Sequence, residues 1–381
     1  MIRLVYLIDT ISCNTSGTEK QLLEMIMRLD KTKFEISLVC LWRSNWMREN
    51  ELPCPLIVLG YEGFFKKNIF GVVIKLRKLI AENKIQIIQT FFEDSIFVAW
   101  LATRLNKLDI VLLSSRRDMG LGKGNQPWYH ILFGMALPFV NKNFDGIIAN
   151  CQQVKEYVVT REKTSMDKIE VVHNGVEFRK KTEKTPRCFV ENLADIWIVI
   201  VASLTPVKRH DVLIKAVAIL NQRLDRQKIK VLILGKGQER ERLDRLVKQE
   251  NVQHVFCFEG AVQNISDYLQ HVDIGVLCSD REGLSNAVLE YMSSGLPVVV
   301  TAVGGNTELI DKKNGICVPP DDPDALADAV HELIVNKHKR EQMGLVSRKK
   351  VEKYFSWQES MRYLEGYYQA LLAEKRVISD K

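Results

Sequence analysis

Between Asp280 and Val300 the chain reads D-R-E-G-L-S-N-A-V-L-E-Y-M-S-S-G-L-P-V-V-V, which sets Glu282 and Glu290 eight positions apart across the start of a helix. A carboxylate can accept hydrogen bonds from two adjacent hydroxyls, on a ribose or on another sugar. Between the two glutamates, the backbone N–H groups of Gly283, Leu284 and Ser285 are expected to point at an anion, and the positive end of the helix dipole adds attraction. Gly283 lets the chain approach a phosphate closely. A phosphate on the amides with a carboxylate on each side suits a sugar nucleotide. The bare spacing is weak, since two glutamates so placed are more often solvated surface residues, and the surrounding elements must decide.

Those elements favour a site. Val272–Cys278 is an apolar run of the kind a buried parallel strand needs, and the residues from about 285 to 294 have helical apolar spacing ended by Gly295 and Pro297. G-L-P-V-V-V then begins another strand, so the turn carrying Glu282 lies at the carboxyl end of a parallel sheet, where open α/β folds bind ligands. A second turn of the same kind follows Ile196–Ala202, where V-A-S-L-T-P-V-K-R-H-D places Lys208 and Arg209 at a helix mouth. Two cations there would neutralise a diphosphate and stabilise it as a leaving group, although a K-R pair at a helix start is commonly just solvated.

With these motifs in this order, the chain resembles the retaining glycosyltransferases of family 4, which share the GT-B fold of two Rossmann-like domains facing a cleft. E-G-L-S-N-A-V-L-E resembles their E-x7-E motif, with Asn286 inside it, and S-S-G-L-P-V-V resembles the tail that follows. The resemblance implies that Glu282 contacts the transferred sugar near the reacting carbon and Glu290 the ribose hydroxyls. The segment around Lys208 resembles V-G-R-L-x-P-x-K-G, so Lys208 matches the diphosphate lysine. Ser203 stands where the arginine is usual and Arg209 where the glycine is, and Arg209 is expected to restore the charge.

The resemblance extends into the first half. D-T-I-S-C-N-T-S-G-T-E-K-Q follows the first strand where the family carries a glycine-rich loop that closes on the donor phosphate and the acceptor. Gly17 and Thr18 would present amides there, Ser16 replacing a second glycine. The alternative is a plain helix cap, with Ser16 and Glu19 forming a capping box. S-S-R-R-D-M-G puts Arg116, Arg117 and Asp118 at the end of another strand. Arg117 stands where many members have a histidine, and the loop is assigned to acceptor or donor-sugar contacts, against a surface Arg–Asp ion pair. V-V-H-N-G-V-E resembles the family's N-G-V segment, with His173 a structural or hinge residue. After Val255–Phe258, main-chain groups around Val262 are expected to hold the nucleobase. V-G-G-N-T-E-L-I is a second glycine turn in which Glu308 is structural.

Length and composition agree with this organisation. At 381 residues and 46% apolar content, two domains can each bury a core. Strand-like runs are expected at Ile2–Ile8, Glu35–Cys40, Leu56–Leu59, Ile85–Thr90, Val111–Ser114 and Gly146–Ala149, then at Ile196–Ala202, Lys230–Leu234, Val255–Phe258, Val272–Cys278 and Val298–Thr301, in alternation with amphipathic helices. The expected boundaries are 1–180 for an acceptor domain, joined by a helix at about 357–381 that returns to it, and 190–356 for a donor domain. The polar stretch Glu177–Asn192 is the expected linker.

The eight cysteines form no C-x-x-C pair and are read as reduced thiols of a cytosolic protein. No leader or membrane span is expected, because the chain opens directly on a strand and no apolar run approaches ~20 residues. The net charge of +7 lies wholly in the first half, where Met1–Lys184 holds 27 Lys and Arg against 20 Asp and Glu, leaving 27 against 27 in the rest. That imbalance points to an anionic partner or membrane surface for the N-terminal domain. Tyr61–Ile80 has an apolar helical face of Ile69, Val72, Val73, Leu76 and Ile80, and Phe64 and Phe65, beside Lys66 and Lys67, are expected outside the packed face and against the bilayer. No recognition helix for nucleic acid is present.

The expected activity is metal-independent transfer of a sugar from a nucleoside diphosphate donor, UDP- or GDP-linked, to a hydroxyl of a glycan or lipid-linked saccharide at the inner face of the membrane. Lys208, Arg209 and the Gly283–Ser285 amides would stabilise the leaving group, with Glu282 and Asp118 near the reacting atoms. No metal or other cofactor is expected. The rivals are another sugar-nucleotide enzyme on this fold, an epimerase or a sugar phosphate synthase, and a non-catalytic nucleotide-sugar-binding partner.

Overall fold

The structure, a computed structural model, describes residues 1–379 apart from 16, 105–107, 121–128, 179–181 and 225–227. The chain forms two compact units, Met1–Gly175 with Trp357–Lys381, and Val176–Ser356. In the first, β1 (Ile2–Ile8), β2 (Phe34–Cys40), β3 (Leu56–Val58), β4 (Ile87–Phe91), β5 (Val111–Arg116), β6 (Gly146–Ala149) and β7 (Ile169–Val171) make a parallel sheet in the order β3-β2-β1-β4-β5-β6-β7. In the second, β8 (Ile196–Val201), β9 (Ile229–Leu234), β10 (Phe256–Gly260), β11 (Ile274–Leu277), β12 (Val298–Thr301) and β13 (Gly315–Val318) run β10-β9-β8-β11-β12-β13. Both are doubly wound, Rossmann-like sheets.

Helices cover both faces of such a sheet, so its central strands need apolar residues throughout rather than in alternation. β4, β5 and β6 are buried at every position, as are β11 and β12. In each sheet the strand order reverses beside the first strand of the unit, between β1 and β4 and between β8 and β11. Connections leave to opposite faces at such a reversal, which opens a crevice at the carboxyl ends of the two strands.

The expected strands all form, within two residues at most ends. β7 and β13 were not expected: each is a short edge strand, Ile-Glu-Val and Gly-Ile-Cys-Val, only partly buried, so neither carries the apolar run that marks the centre of a sheet. The expected linker includes a short helix, Arg187–Glu191, whose Phe189 stacks edge-on against Trp197 at 4.6 Å.

The Ile69–Glu82 helix buries the five apolar residues expected of it. Phe64 departs from expectation. It is partly buried in the core beneath that helix, with its ring 4.9 Å from Phe133 and 5.9 Å from Phe97, so only Phe65, 60% exposed, stays outside. On the other face of the same sheet the Trp357–Ser379 helix packs with Gly17–Arg28 over a second core. Tyr368 of that helix is fully buried, 3.1 Å from the Tyr6 hydroxyl and donating to Gln89 Oε1. Gly175 allows the chain to pass Trp357, since a Cβ there would stand 2.4 Å from the indole.

Candidate functional site

In the second unit, the residues after β8 and after β11 meet at the switch point. Past β11, Cys278 and Ser279 stay fully buried before the chain surfaces at Asp280. Asp280 N donates to Val207 O at 2.9 Å, which ties this turn to the one following β8. There Pro206–Lys208 makes one 3-10 turn. Lys208 Nζ reaches Glu282 Oε1 at 2.6 Å, and Ser279 Oγ donates to the same oxygen at 2.6 Å. The Glu282 side chain is 10% exposed and that of Lys208 23%, so this is a half-sheltered ion pair whose open side faces solvent.

The helix carrying Glu290 spans Asn286–Ser293, with Ser285 as its N-cap, Oγ accepting from Val288 N at 3.4 Å. Because the helix begins at Asn286, the amides that lack an acceptor within it are those of Asn286, Ala287 and Val288, three residues later than the Gly283–Ser285 set expected from sequence. Gly283, Leu284 and Ser285 are instead buried in the turn that feeds the helix. Glu290 is the fifth residue of the helix, ~1.1 turns past its first.

The turn is backed by V-G-G-N, the second glycine turn of this unit. Gly304 has φ +53°, and a Cβ on it would stand 1.9 Å from Glu282 O. Gly305 N donates to Gly283 O at 2.7 Å, and Thr301 Oγ1 to Ser279 O at 2.6 Å. The end of β12 therefore fixes the backbone on which Glu282 rides.

Arg209 occupies the left-handed region at φ 46°, ψ 45°, costly for a residue with a Cβ and unproblematic for the glycine usual here. Its guanidinium bonds Asp280 at 2.9 Å, Asp211 at 3.2 Å and also Asp321. The replacement charge is thus committed to three carboxylates, which hold it protonated well above the ordinary arginine value, Asp211 first among them. His210, 2% exposed, has neither ring nitrogen bonded, and burial, aided by Lys208, pushes its pKa down to about 4.

Ser203 is exposed after β8, with Thr205 N donating to its carbonyl at 2.8 Å. Beside it lies a feature that sequence reasoning missed, the G-K-G turn after β9. A Cβ on Gly235 would meet Ala202 O at 1.9 Å and one on Gly237 would meet Leu204 O at 2.3 Å, while Leu204 N donates to Lys236 O at 3.0 Å. A glycine pair directly after an apolar strand was the available signal. Val262, half-buried, follows β10 and Gly260, whose carbonyl accepts from Gly235 N at 2.7 Å. The only D-x-D sequence, Asp322-Pro323-Asp324, opens the Pro323–Val335 helix, where Asp322 caps Ala325 N at 2.9 Å. Among the described residues, no three of His, Cys, Asp and Glu are grouped to hold a metal ion.

The remaining candidates belong to the first unit. Gly17 and Thr18 open the Gly17–Arg28 helix. The capping-box reading rests on Ser16, which lies outside the described residues; Glu19 Oε1 accepts from Ser12 N at 2.8 Å. Arg116 is a buried structural residue, held at 2.9 Å by Glu162 and at 3.1 Å by Asn141. Arg117 turns inward, donating to Asn174 Oδ1 at 2.5 Å with its guanidinium 5.6 Å from the Phe91 ring, and burial lowers its pKa to about 10. Of the three residues of that loop only Asp118 is exposed, its Oδ1 accepting from Gly120 N at 3.0 Å. The structure therefore separates the three instead of gathering them on one loop.

Comparison with known proteins places this architecture. The chain is 30% identical over 223 residues to an uncharacterized glycosyltransferase of Methanocaldococcus jannaschii, covering 55% of this chain and 56% of that one. It is 28% identical over 244 residues to a D-inositol 3-phosphate glycosyltransferase of Corynebacterium jeikeium, covering 60% and 58%. The matches thus span little more than half the length of these relatives. The Anabaena protein HepE, solved in complex with UDP, superposes with a TM-score of 0.82 at 16% identity, over 97% of this chain and all of that one, and shares the fold. Residues 15–180 match the family described as Glycosyltransferase Family 4 and residues 182–350 the one described as Glycosyl transferases group 1. With both halves matched in that order on two doubly wound sheets, the chain belongs to the family 4 glycosyltransferases of GT-B fold.

Proposed function

We propose that the chain transfers a sugar from a nucleoside diphosphate sugar to an acceptor hydroxyl, with retention of anomeric configuration and without a metal. The observation that carries this reading is the Lys208–Glu282 pair, 2.6 Å apart at the switch point of the second sheet and next to the Asn286–Ser293 helix start. The UDP bound by the Anabaena relative agrees with such a donor.

On this reading the diphosphate lies over the start of the helix and Lys208 leaves Glu282 for a phosphate oxygen. Glu282 then accepts from the sugar hydroxyls and Glu290 from the ribose. As the glycosidic C–O bond breaks, the electron pair goes to the departing diphosphate, whose charge Lys208 and the helix amides stabilise. The acceptor oxygen bonds the anomeric carbon from the same face, and its proton passes to that diphosphate oxygen. No protein nucleophile is needed. We assign the acceptor to the lipid-linked saccharides of cell-surface polysaccharide synthesis, with the chain peripheral at the inner face of the membrane. Among the described residues no helix is long and apolar enough to cross a bilayer.

The test is a thermal-shift screen of UDP- and GDP-sugars, since a ligand that binds only the folded chain raises its midpoint. The best donor is then used for transfer, with the anomer assigned by NMR. One family of donors should stabilise the chain and the product should keep the donor's configuration. No stabilising donor, or an inverted product, would overturn the reading; donor conversion without acceptor would transfer the chain to the epimerase or synthase class.

A further inference from the structure

One helical layer of the first unit displays apolar side chains that its own core does not use. The helices Ile69–Glu82, Glu93–Arg104 and Tyr129–Val140 cover a single core, with Val72, Leu76, Phe97, Phe133 and Leu137 pointing inward. From the outer side, Phe70 and Ile74 stand 75% and 64% exposed one helical turn apart. Ile131, Met135 and Phe139 repeat the pattern on the third helix at 69%, 76% and 51%. The helices that carry them are tied together: exposed Phe65, just before the first helix, stacks edge-on against Phe64 at 5.5 Å and Phe64 against Phe133 of the third helix at 4.9 Å, while Phe139 packs edge-on against Trp100 of the middle helix at 6.1 Å. Scattered exposed apolar residues need no explanation, whereas stripes at helical spacing on linked elements do.

Charge identifies the occupant. Between Glu62 and Glu82 the chain carries five Lys and Arg and no acid, and between Tyr129 and Phe144 it carries one lysine and no acid. Lys66, Lys67, Lys78 and Lys142 are all exposed. An apolar stripe with a basic border is the pattern of a surface that sinks its aromatic and aliphatic side chains into the headgroup boundary while its lysines meet anionic headgroups. A second copy of this chain would bring the same cations against each other and gain nothing from them.

We infer that this layer, bearing Phe65, Phe70, Ile74, Ile131, Met135 and Phe139, is the surface by which the chain lies on an anionic lipid bilayer. The inference deepens the peripheral membrane reading above, and it assigns a task to the Tyr129–Val140 helix, whose sequence Y-H-I-L-F-G-M-A-L-P-F-V lacks any Asp, Glu, Lys or Arg.

The experiment is co-sedimentation of the full chain with vesicles of equal parts phosphatidylglycerol and phosphatidylcholine, beside vesicles of pure phosphatidylcholine. Binding is expected to the anionic vesicles and to weaken with salt. The double variant Met135→Ser/Phe139→Ser should lower partitioning roughly tenfold or more. Lys66→Gln alone should lower it about fivefold. Since these side chains are exposed, thermal midpoints should hold near the parent value, which separates lost binding from lost folding. Parent-like binding by both variants would overturn this surface while leaving membrane association standing. No binding by the parent would overturn both, leaving donor binding to be judged by its own screen. Self-association of the parent without lipid, abolished by Met135→Ser/Phe139→Ser, would assign the surface to a second copy and overturn the bilayer.

Discussion

Lys208 Nζ stands 2.6 Å from Glu282 Oε1, and the two residues hang from the ends of β8 and β11, neighbours at the point where the second sheet reverses its strand order. Each satisfies the other. A diphosphate must therefore compete with Glu282 for the lysine, and the sugar must compete with Lys208 for the carboxylate.

That competition gives a prediction of opposite signs. Lys208→Ala removes the cation and leaves Glu282 sheltered without its partner, so affinity for free UDP or GDP should fall on the order of tenfold to a hundredfold. Glu282→Gln releases Lys208, so free nucleoside diphosphate should bind at least as tightly as to the parent, while transfer falls on the order of a hundredfold. Calorimetry with nucleotide and a steady-state transfer assay supply the two readouts. Weaker nucleotide binding by Glu282→Gln would show that the pair does not compete with the ligand.

Glu290 separates ribose recognition from phosphate recognition. Replacing it by alanine should weaken donor binding by about tenfold to a hundredfold, the worth of a charged hydrogen-bonding group. A 2′,3′-dideoxynucleoside diphosphate, which has no ribose hydroxyls to offer, should bind parent and Glu290→Ala alike. Equal losses for both nucleotides would remove Glu290 from the ribose and make its role general.

The fold was legible because buried parallel strands must be apolar end to end, and runs such as Ile2–Ile8 and Val298–Thr301 announce themselves. Edge strands β7 and β13 lack that requirement and passed unnoticed. The motif around Glu282 was equally legible, since a strand, a turn glycine and a helix start each leave a local mark. Three things were not. The helix start differed by one residue, because Ser285 could be read as a first helical residue or as its cap. Arg209 has the look of a replacement cation in sequence, and only the folded chain brings Asp280 and Asp321 to it from 71 and 112 positions away. Arg116 and Arg117 look alike in sequence, yet one is the last residue of β5 and meets Glu162 while the other turns inward to Asn174. Sequence spacing reports local geometry, and partners that distant in the chain leave no mark in it.

Gly304 offers a test of how the Glu282 turn is held. Alanine there combines a strained left-handed φ with a Cβ 1.9 Å from Glu282 O, neither of which can be relieved by rotating a side chain. Gly304→Ala should cost roughly 2 to 4 kcal/mol in denaturant unfolding and reduce transfer by displacing Glu282. Gly366 is the control: it lies within the Trp357–Ser379 helix and its added Cβ would meet nothing within 4 Å. Gly366→Ala should be neutral or stabilise by about 0.5 to 1 kcal/mol. If both substitutions behave alike, β12 does not buttress the site.

His210 makes the second unit sensitive to acid. Its folded pKa of about 4 lies below the ordinary value of 6.5, chiefly because burial disfavours the imidazolium and secondarily because Lys208 repels it. Between those two values the unfolded chain binds a proton that the folded chain does not, so stability is lost as pH falls from about 6.5 to about 4. The size of the effect is on the order of 3 kcal/mol, from ~1.4 kcal/mol per pKa unit. Since neither ring nitrogen has a partner, leucine at this position forfeits no hydrogen bond. His210→Leu should match the parent to within about 1 kcal/mol at neutral pH. It should then lose less stability than the parent as pH falls through this window, as measured by urea unfolding at a series of pH values. Parallel curves for the two proteins would mean that His210 takes up its proton in the folded state after all, with Lys208 and the surrounding apolar residues yielding to admit water.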